Sequence, residues 1–185
     1  PSNIEVRTHE AIESLQMGFL PISGLSDKSG ATYLAPRDPG FRLDFLTTLH
    51  RGGEEKYVHP KLHVTLQPLK FMEYSLVQVQ QAVLFNTKGA VVINVPHPAR
   101  YALHKLIVYG EREGTFTSKS GKDLIQAASL LQYFKDNRKW EVQEAYEDLI
   151  SRGKGWISRL ERGLVAIEKA HPQLAVREWL AKNSR

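Results

Sequence analysis

ATYLAPRDPGFRLDFLT, residues 31–47, is the stretch on which the reading of the fold turns. From Phe41 to Thr47 the chain alternates. Phe41, Leu43 and Phe45 point to one face, and Arg42, Asp44 and Leu46 to the other, which is the side-chain period of a strand. Ala31 to Ala35 is a second short strand-like run, and Phe19 to Ile22 a third, with Gly24, Asp27, Ser29 and Gly30 as turn residues between those two. Upstream, Thr8 to Met17 reads as a helix. Thr8 is its candidate N-cap, Glu10 sits in the first turn, Ile12 and Leu15 mark its apolar side, and Gly18 stops it. A helix therefore feeds a hairpin, and the hairpin leads into the Asp44 strand.

Outward from this core the pattern holds until residue 96. Residues 48–60, TLHRGGEEKYVHP, are polar and read as a flexible surface loop. A strand follows at His63 to Leu66 and a short helix around Phe71 to Val77. Gln80 to Phe85 and Ala90 to Val95 form a hairpin, turned by Asn86, Thr87, Lys88 and Gly89. Pro96 and Pro98 then punctuate the chain, and the rest reads as helix. The expected helices are Ala99–Tyr109, Lys122–Lys135, Trp140–Ser151, Trp156–Ala170 and Leu174–Lys182, with Pro172 in the first turn of the last. The expected class is α+β: a small mixed or antiparallel sheet over residues 1–95, followed by an all-helical domain over residues 96–185.

Composition excludes several classes. No run of about 18 apolar residues exists to span a membrane as a helix, and PSNIEVRTHE lacks the apolar core of a signal peptide. Cysteine is absent, which removes disulfides and thiolate zinc sites and fits a cytoplasmic protein. The net charge of +5 is unevenly spread: residues 1–95 hold 9 Lys/Arg and 9 Asp/Glu, and residues 96–185 hold 16 and 11. A basic helical half suits a polyanionic partner such as a nucleotide or nucleic acid, though charge alone favours the solvated surface of an ordinary basic domain.

Three constellations are candidates for chemistry. Asp44 lies among large apolar residues, where a carboxylate is costly unless it is paired or binds a cation. It reads as a Mg²⁺ ligand at a sheet surface, or as a residue of a wet face paired with Arg42. In PHPARYALHKLIVYGERE, residues 96–113, Ala102, Leu103, Leu106 and Ile107 make the buried stripe. Tyr101, Lys105, Val108 and Arg112 fall on a neighbouring face, so Lys105 and Arg112 can both reach a triphosphate, or both lie in solvent beside Glu111 and Glu113. His104 reads as a boundary residue. In SKSGKDLIQAASLL, residues 118–131, Leu124, Ala127, Ala128 and Leu131 are the expected buried face. Ser120 and Asp123 fit a capping box. Lys122 in a first turn opposes the helix dipole, so an anion there would explain it. His59 and His63 are separated by Pro60 and make a poor zinc pair. Trp140, Trp156 and Trp179 read as packing residues.

Taken together, ESLQMGFLPI (13–22), ATYLAPRDPGFRLDFLT (31–47), VVINVPHPARYALHKLIVYGERE (91–113) and KSGKDLIQAASLL (119–131) resemble the bacterial nucleotidyltransferase-fold family related to the DNA polymerase beta superfamily. The resemblance covers about residues 8–135. It is most specific in the pair ALHKL (102–106) and KSGKDLIQA (119–127). It implies transfer of a nucleoside monophosphate from an NTP to an acceptor with Mg²⁺, with Asp44 as the third metal-binding carboxylate. It also implies that Lys105, Lys122 and Arg112 line the phosphate side of the cleft. The acceptor (protein, RNA or small molecule) stays open. The family's Gly-Ser motif and first carboxylate pair are expected upstream of Thr8, and no Asp-x-Asp occurs in these 185 residues. The chain is therefore expected to be an inactive fragment of an enzyme. Two other readings are a degenerate nucleic-acid- or protein-binding module and a structural helical partner domain.

Overall fold

The computed structural model describes residues 5–22, 31–49, 57–112 and 117–181. The chain divides into two compact units, Pro1–Met72 and Glu73–Arg185. The expected hairpin at residues 80–95 thus groups with the helices. Residues 50–56 of the expected surface loop, and the turn residues Gly24, Asp27, Ser29 and Gly30, lie outside the described residues.

In the first unit, helix α1 (Thr8–Ser14) precedes strands β1 (Leu20–Pro21), β2 (Thr32–Ala35) and β3 (Asp38–Asp44), which pair antiparallel in that order. Thr8 is the first helical residue rather than the cap. Its hydroxyl donates to the Leu62 carbonyl at 2.6 Å, so a tertiary acceptor has taken the side chain a cap would use. The alternation predicted for residues 41–47 is present. Leu43 and Phe45 pack against the buried cluster of Ile12, Phe19, Tyr33 and Ala35. Phe41 stays about half exposed, its ring centroid 5.7 Å from that of Phe19.

The predicted strand is interrupted at Phe45, because that residue joins two sheets. Its N–H donates to the Ala31 carbonyl at 2.7 Å, and its own carbonyl accepts the Gln67 N–H at 2.8 Å. Beyond it, β4 (Leu46–Thr48) runs parallel to β6 (Val64–Leu69), and β5 (Tyr57–His59) pairs antiparallel with β6 on its other side. β6 is the one predicted from His63.

The second unit begins with α2 (Met72–Leu76, whose first residue closes the first unit). A long hairpin follows, β7 (Val79–Asn86) with β8 (Gly89–Pro96), in full antiparallel register. Asn86 fixes its turn: the side-chain oxygen accepts the Lys88 N–H at 2.8 Å, as expected of an Asx turn. Then come α3 (Pro98–Glu111), α4 (Thr117–Asn137), α5 (Lys139–Ser151), α6 (Lys154–Ala170), a 3₁₀ turn at Pro172–Leu174 and α7 (Val176–Ala181). Pro172 opens the 3₁₀ turn, and Ala175, with φ of 45°, separates it from α7.

α3 is the axis of this bundle. Ala99, Ala102, Leu103, Leu106 and Ile107 are fully buried. Burying Leu, Ile or Val side chains of this kind contributes about 1.5–3 kcal/mol each. α6 crosses α3 at very short range because each helix offers a glycine. A Cβ on Gly110 would lie 2.1 Å from the Arg159 carbonyl oxygen, and one on Gly163 would lie 2.3 Å from that of Leu106.

Candidate functional site

Asp44 closes β3, directly across from Thr32 on β2. The Thr32 hydroxyl donates to Asp44 Oδ1 at 2.7 Å, and Arg42 Nε lies 3.3 Å from Oδ2. Arg42 reaches it because residues two apart share a face of a strand. The carboxylate is 32% exposed, so this ion pair is worth at most about 1 kcal/mol. Among the described residues no group of three or more His, Asp or Glu side chains is gathered that could hold a metal. Asp44 is a hard oxygen ligand of the type Mg²⁺ takes, but the described residues by themselves do not make a two-metal site.

The second cluster lies between α3 and α4. Asp123 is buried, and it accepts from Lys105 Nζ at 2.8 Å through Oδ1 and from Arg112 Nη1 through Oδ2. Lys105 and Arg112 do share a helix face, as their spacing of seven requires, and Lys105 Nζ also sits 5.0 Å from the centre of the Tyr101 ring. Burial works to lower the Lys105 pKa, yet the hydrogen bonds to Asp123 and Tyr101, with the Asp123 charge, leave it raised. Two of the three expected phosphate ligands therefore meet a carboxylate of their own chain.

The capping-box expectation for Ser120 and Asp123 does not hold. α4 starts at Thr117, so both residues lie inside the helix. Of the expected apolar face Ala127, Ala128 and Leu131 are buried and Leu124 partly so, and Asp123 is buried beside them. Lys122 falls in the second turn of α4, where the dipole argument for it lapses. It is exposed, and among the described residues it has no ion-pair partner.

One polar cluster was not anticipated. Arg100 is buried on α3, donating to Gln78 Oε1 at 3.1 Å and to Asp148 Oδ2. Arg152 Nη2 reaches the same carboxylate at 3.1 Å. The two guanidinium carbons lie 5.0 and 5.2 Å from the centre of the Tyr74 ring, and the Tyr74 hydroxyl donates to the Ala145 carbonyl at 2.7 Å. Burial, the largest influence, pushes the Tyr74 phenol far up, so it stays a neutral donor. Burial also pushes Asp148 up, but the hydrogen bonds and charges of Arg100 and Arg152 outweigh it and hold the carboxyl below its ordinary value. The available sequence signal was the position of Arg100, three residues before Leu103 and seven before Ile107. It marks a cation on the buried stripe, which requires a partner.

The remaining candidates separate cleanly. His59 Nδ1 accepts the Lys61 and Leu62 N–H groups at 3.3 and 3.2 Å within the β5–β6 turn, and His63 bonds Glu5. Trp179 is buried, its indole N–H on the Leu174 carbonyl, and Trp156 lies against Tyr74 and Arg152. Trp140 is not a packing residue: it is 63% exposed. A cavity of about 180 Å³ is lined by Tyr146, Glu161, Leu164, Arg177 and Leu180, and Arg177 there already faces Glu161 and Glu168.

The described residues thus form an α+β chain, with Asp44 at a strand end in the first unit and Lys105, Arg112 and Lys122 on helices of the second. The chain belongs to the nucleotidyltransferase family, whose model matches residues 1–151, through the end of α5. Among solved structures it is similar to an antigenic nucleotidyltransferase-like protein from Paracoccidioides brasiliensis, at 16% identity and a TM-score of 0.36. The similarity covers 84% of this chain and 66% of that one, so the chain spans just under two thirds of that protein's length. No curated protein matches it. Among the described residues no helix is long and apolar enough to cross a membrane.

Proposed function

We propose that the full-length protein transfers a nucleoside monophosphate from an NTP to an acceptor. The acceptor's nucleophile takes the α-phosphorus, the bond to the bridging oxygen breaks, and pyrophosphate leaves. The observation that carries this reading is the family match, which spans β3 with Asp44 as well as α3 and α4. Asp44 would contribute one metal-binding carboxylate. Mg²⁺ would be held only together with carboxylates that the described residues do not supply. Lys122, exposed and unpaired among those residues, is the favoured phosphate ligand. Lys105 and Arg112 would contribute only if Asp123 released them. With no Asp-x-Asp in its 185 residues, the chain is proposed to be inactive alone. The acceptor would be a protein, an RNA or a small molecule.

The test uses the full-length protein, α-labelled NTPs and a panel of acceptors. Asp44→Ala is expected to abolish incorporation and leave the circular-dichroism spectrum unchanged; undiminished incorporation removes Asp44 from the site. Lys122→Ala is expected to weaken NTP binding by calorimetry, and an unaltered isotherm rules Lys122 out. The partners already held by Asp44, Lys105 and Arg112 favour a second reading, a module that kept the fold and lost the chemistry. That reading gains if no NTP is incorporated under any acceptor condition.

A further inference from the structure

α4 ends at Asn137 and α5 begins at Lys139, so a single residue, Arg138, turns the chain. Two aromatic side chains flank that turn in water. Trp140 is 63% exposed and Tyr133 51%. An indole left this open is unusual, since Trp is among the most buried residues on average. The corner is held firmly. The Arg138 N–H donates to the Phe134 carbonyl at 2.9 Å, the Asn137 side chain to the Tyr133 carbonyl at 2.8 Å, and the Glu141 N–H to the Arg138 carbonyl at 3.1 Å. Phe134 is buried beneath, stacked on His97. The rings are thus displayed from a rigid base, at little entropic cost to a ligand.

The charge beside them is positive. From Tyr133 to Glu141 the chain carries Lys135, Arg138 and Lys139 against Asp136 and Glu141, and the Glu141 side chain is only 9% exposed. Lys139 is exposed, and the Arg138 side chain is 60% exposed even while it touches Glu141. Lys135 is partly committed to the Gln173 carbonyl at 2.9 Å. Aromatic faces beside cations are what a single-stranded nucleic acid requires: bases stack on the rings, and phosphates meet the cations. We propose that the α4–α5 corner is a contact surface for single-stranded nucleic acid, with Trp140 as its stacking platform. A protein partner or a second copy of the chain would also meet the rings, and base-dependent binding in the test below separates these from a nucleic acid. The proposal is independent of the chemistry assigned to Asp44.

The experiment measures binding of the full chain to labelled oligo(U) and oligo(A) by fluorescence anisotropy, with heparin as a polyanion that has no bases. Binding is expected to weaken steeply with salt. Trp140→Ala is expected to weaken oligonucleotide binding about five-fold or more and to leave heparin binding unchanged, whereas Trp140→Phe retains most of it. Because Trp140 is exposed, neither variant endangers folding, and circular dichroism checks this. Three results overturn the proposal: no oligonucleotide binding at low salt, an equal loss toward heparin, or a change of sedimentation behaviour in Trp140→Ala with oligonucleotide binding intact. The last would make the corner an interface between copies.

Discussion

Gly110 and Gly163 test the packing of the helical unit with a sign as well as a size. Alanine in place of a glycine in a helix interior stabilises the helix by about 1 kcal/mol when nothing opposes it, a gain that applies to Gly163 within α6 and is smaller at Gly110, the penultimate residue of α3. Here the added methyl would sit 2.1 Å from the Arg159 carbonyl oxygen at Gly110, and 2.3 Å from that of Leu106 at Gly163. Those atoms belong to helix backbone and have no rotamer to escape into. Relieving either contact requires α3 and α6 to part by about 1 Å, which loosens a seam of close-packed side chains. Overpacking of this kind costs about 1–3 kcal/mol, and more where backbone must move. The upper end is expected here, so each substitution should destabilise by about 2–3 kcal/mol net after the helix-propensity gain.

Gly121 on α4 supplies the control, since a Cβ there meets nothing within 4 Å. Gly121→Ala should be neutral or stabilising. Urea unfolding followed by tryptophan fluorescence is the assay. Trp140, Trp156 and Trp179 all lie in the second unit, so the signal reports on the bundle alone. If Gly110→Ala and Gly163→Ala match Gly121→Ala in sign, the close approach of α3 and α6 is wrong.

Asp123→Ala should destabilise the bundle by about 2–4 kcal/mol, because it strands the partly buried Lys105; Arg112, about one-third exposed, adds little. Part of that loss should return in the double variant Asp123→Ala with Lys105→Met, and a strictly additive double-mutant cycle would refute the coupling. The pH dependence of stability follows from Asp148. Its folded-state pKa lies below the ordinary 3.8, so the unfolded chain takes up the proton first. The stabilisation is complete above 3.8 and is lost as pH falls through the lower folded value. Denaturation midpoints measured from pH 6 down to about pH 2 should therefore fall less steeply in Asp148→Asn than in the parent; identical slopes would exclude Asp148 as a contributor.

Much of this protein was legible in residue order because the relevant physics is local. The period-two run from Phe41 to Phe45 fixed a strand with an apolar face, and Leu43 and Phe45 do pack inward. The stripe Ala102, Leu103, Leu106 and Ile107 fixed the buried face of α3. The Asn86–Gly89 turn fixed the hairpin and its register. The motifs pointing to a nucleotidyltransferase are likewise strings, and the family match agrees with them.

The Arg42–Asp44 pair, two residues apart on one strand, was readable from spacing; partnerships between distant segments needed the tertiary structure. No pattern within α4 says where the helix begins once its start is displaced to Thr117, and that displacement took Asp123 out of the expected capping box and left it a buried acceptor for two cations. Arg100 and Asp148, 48 residues apart, meet only because α3 and α5 pack. The purpose of Gly110 and Gly163 is likewise invisible in either helix alone, because it lies in the carbonyl of the other. Periodicity declares which side of an element avoids water. Which charge answers which, and how closely two backbones approach, are set by chain segments distant in sequence and joined only in the folded bundle.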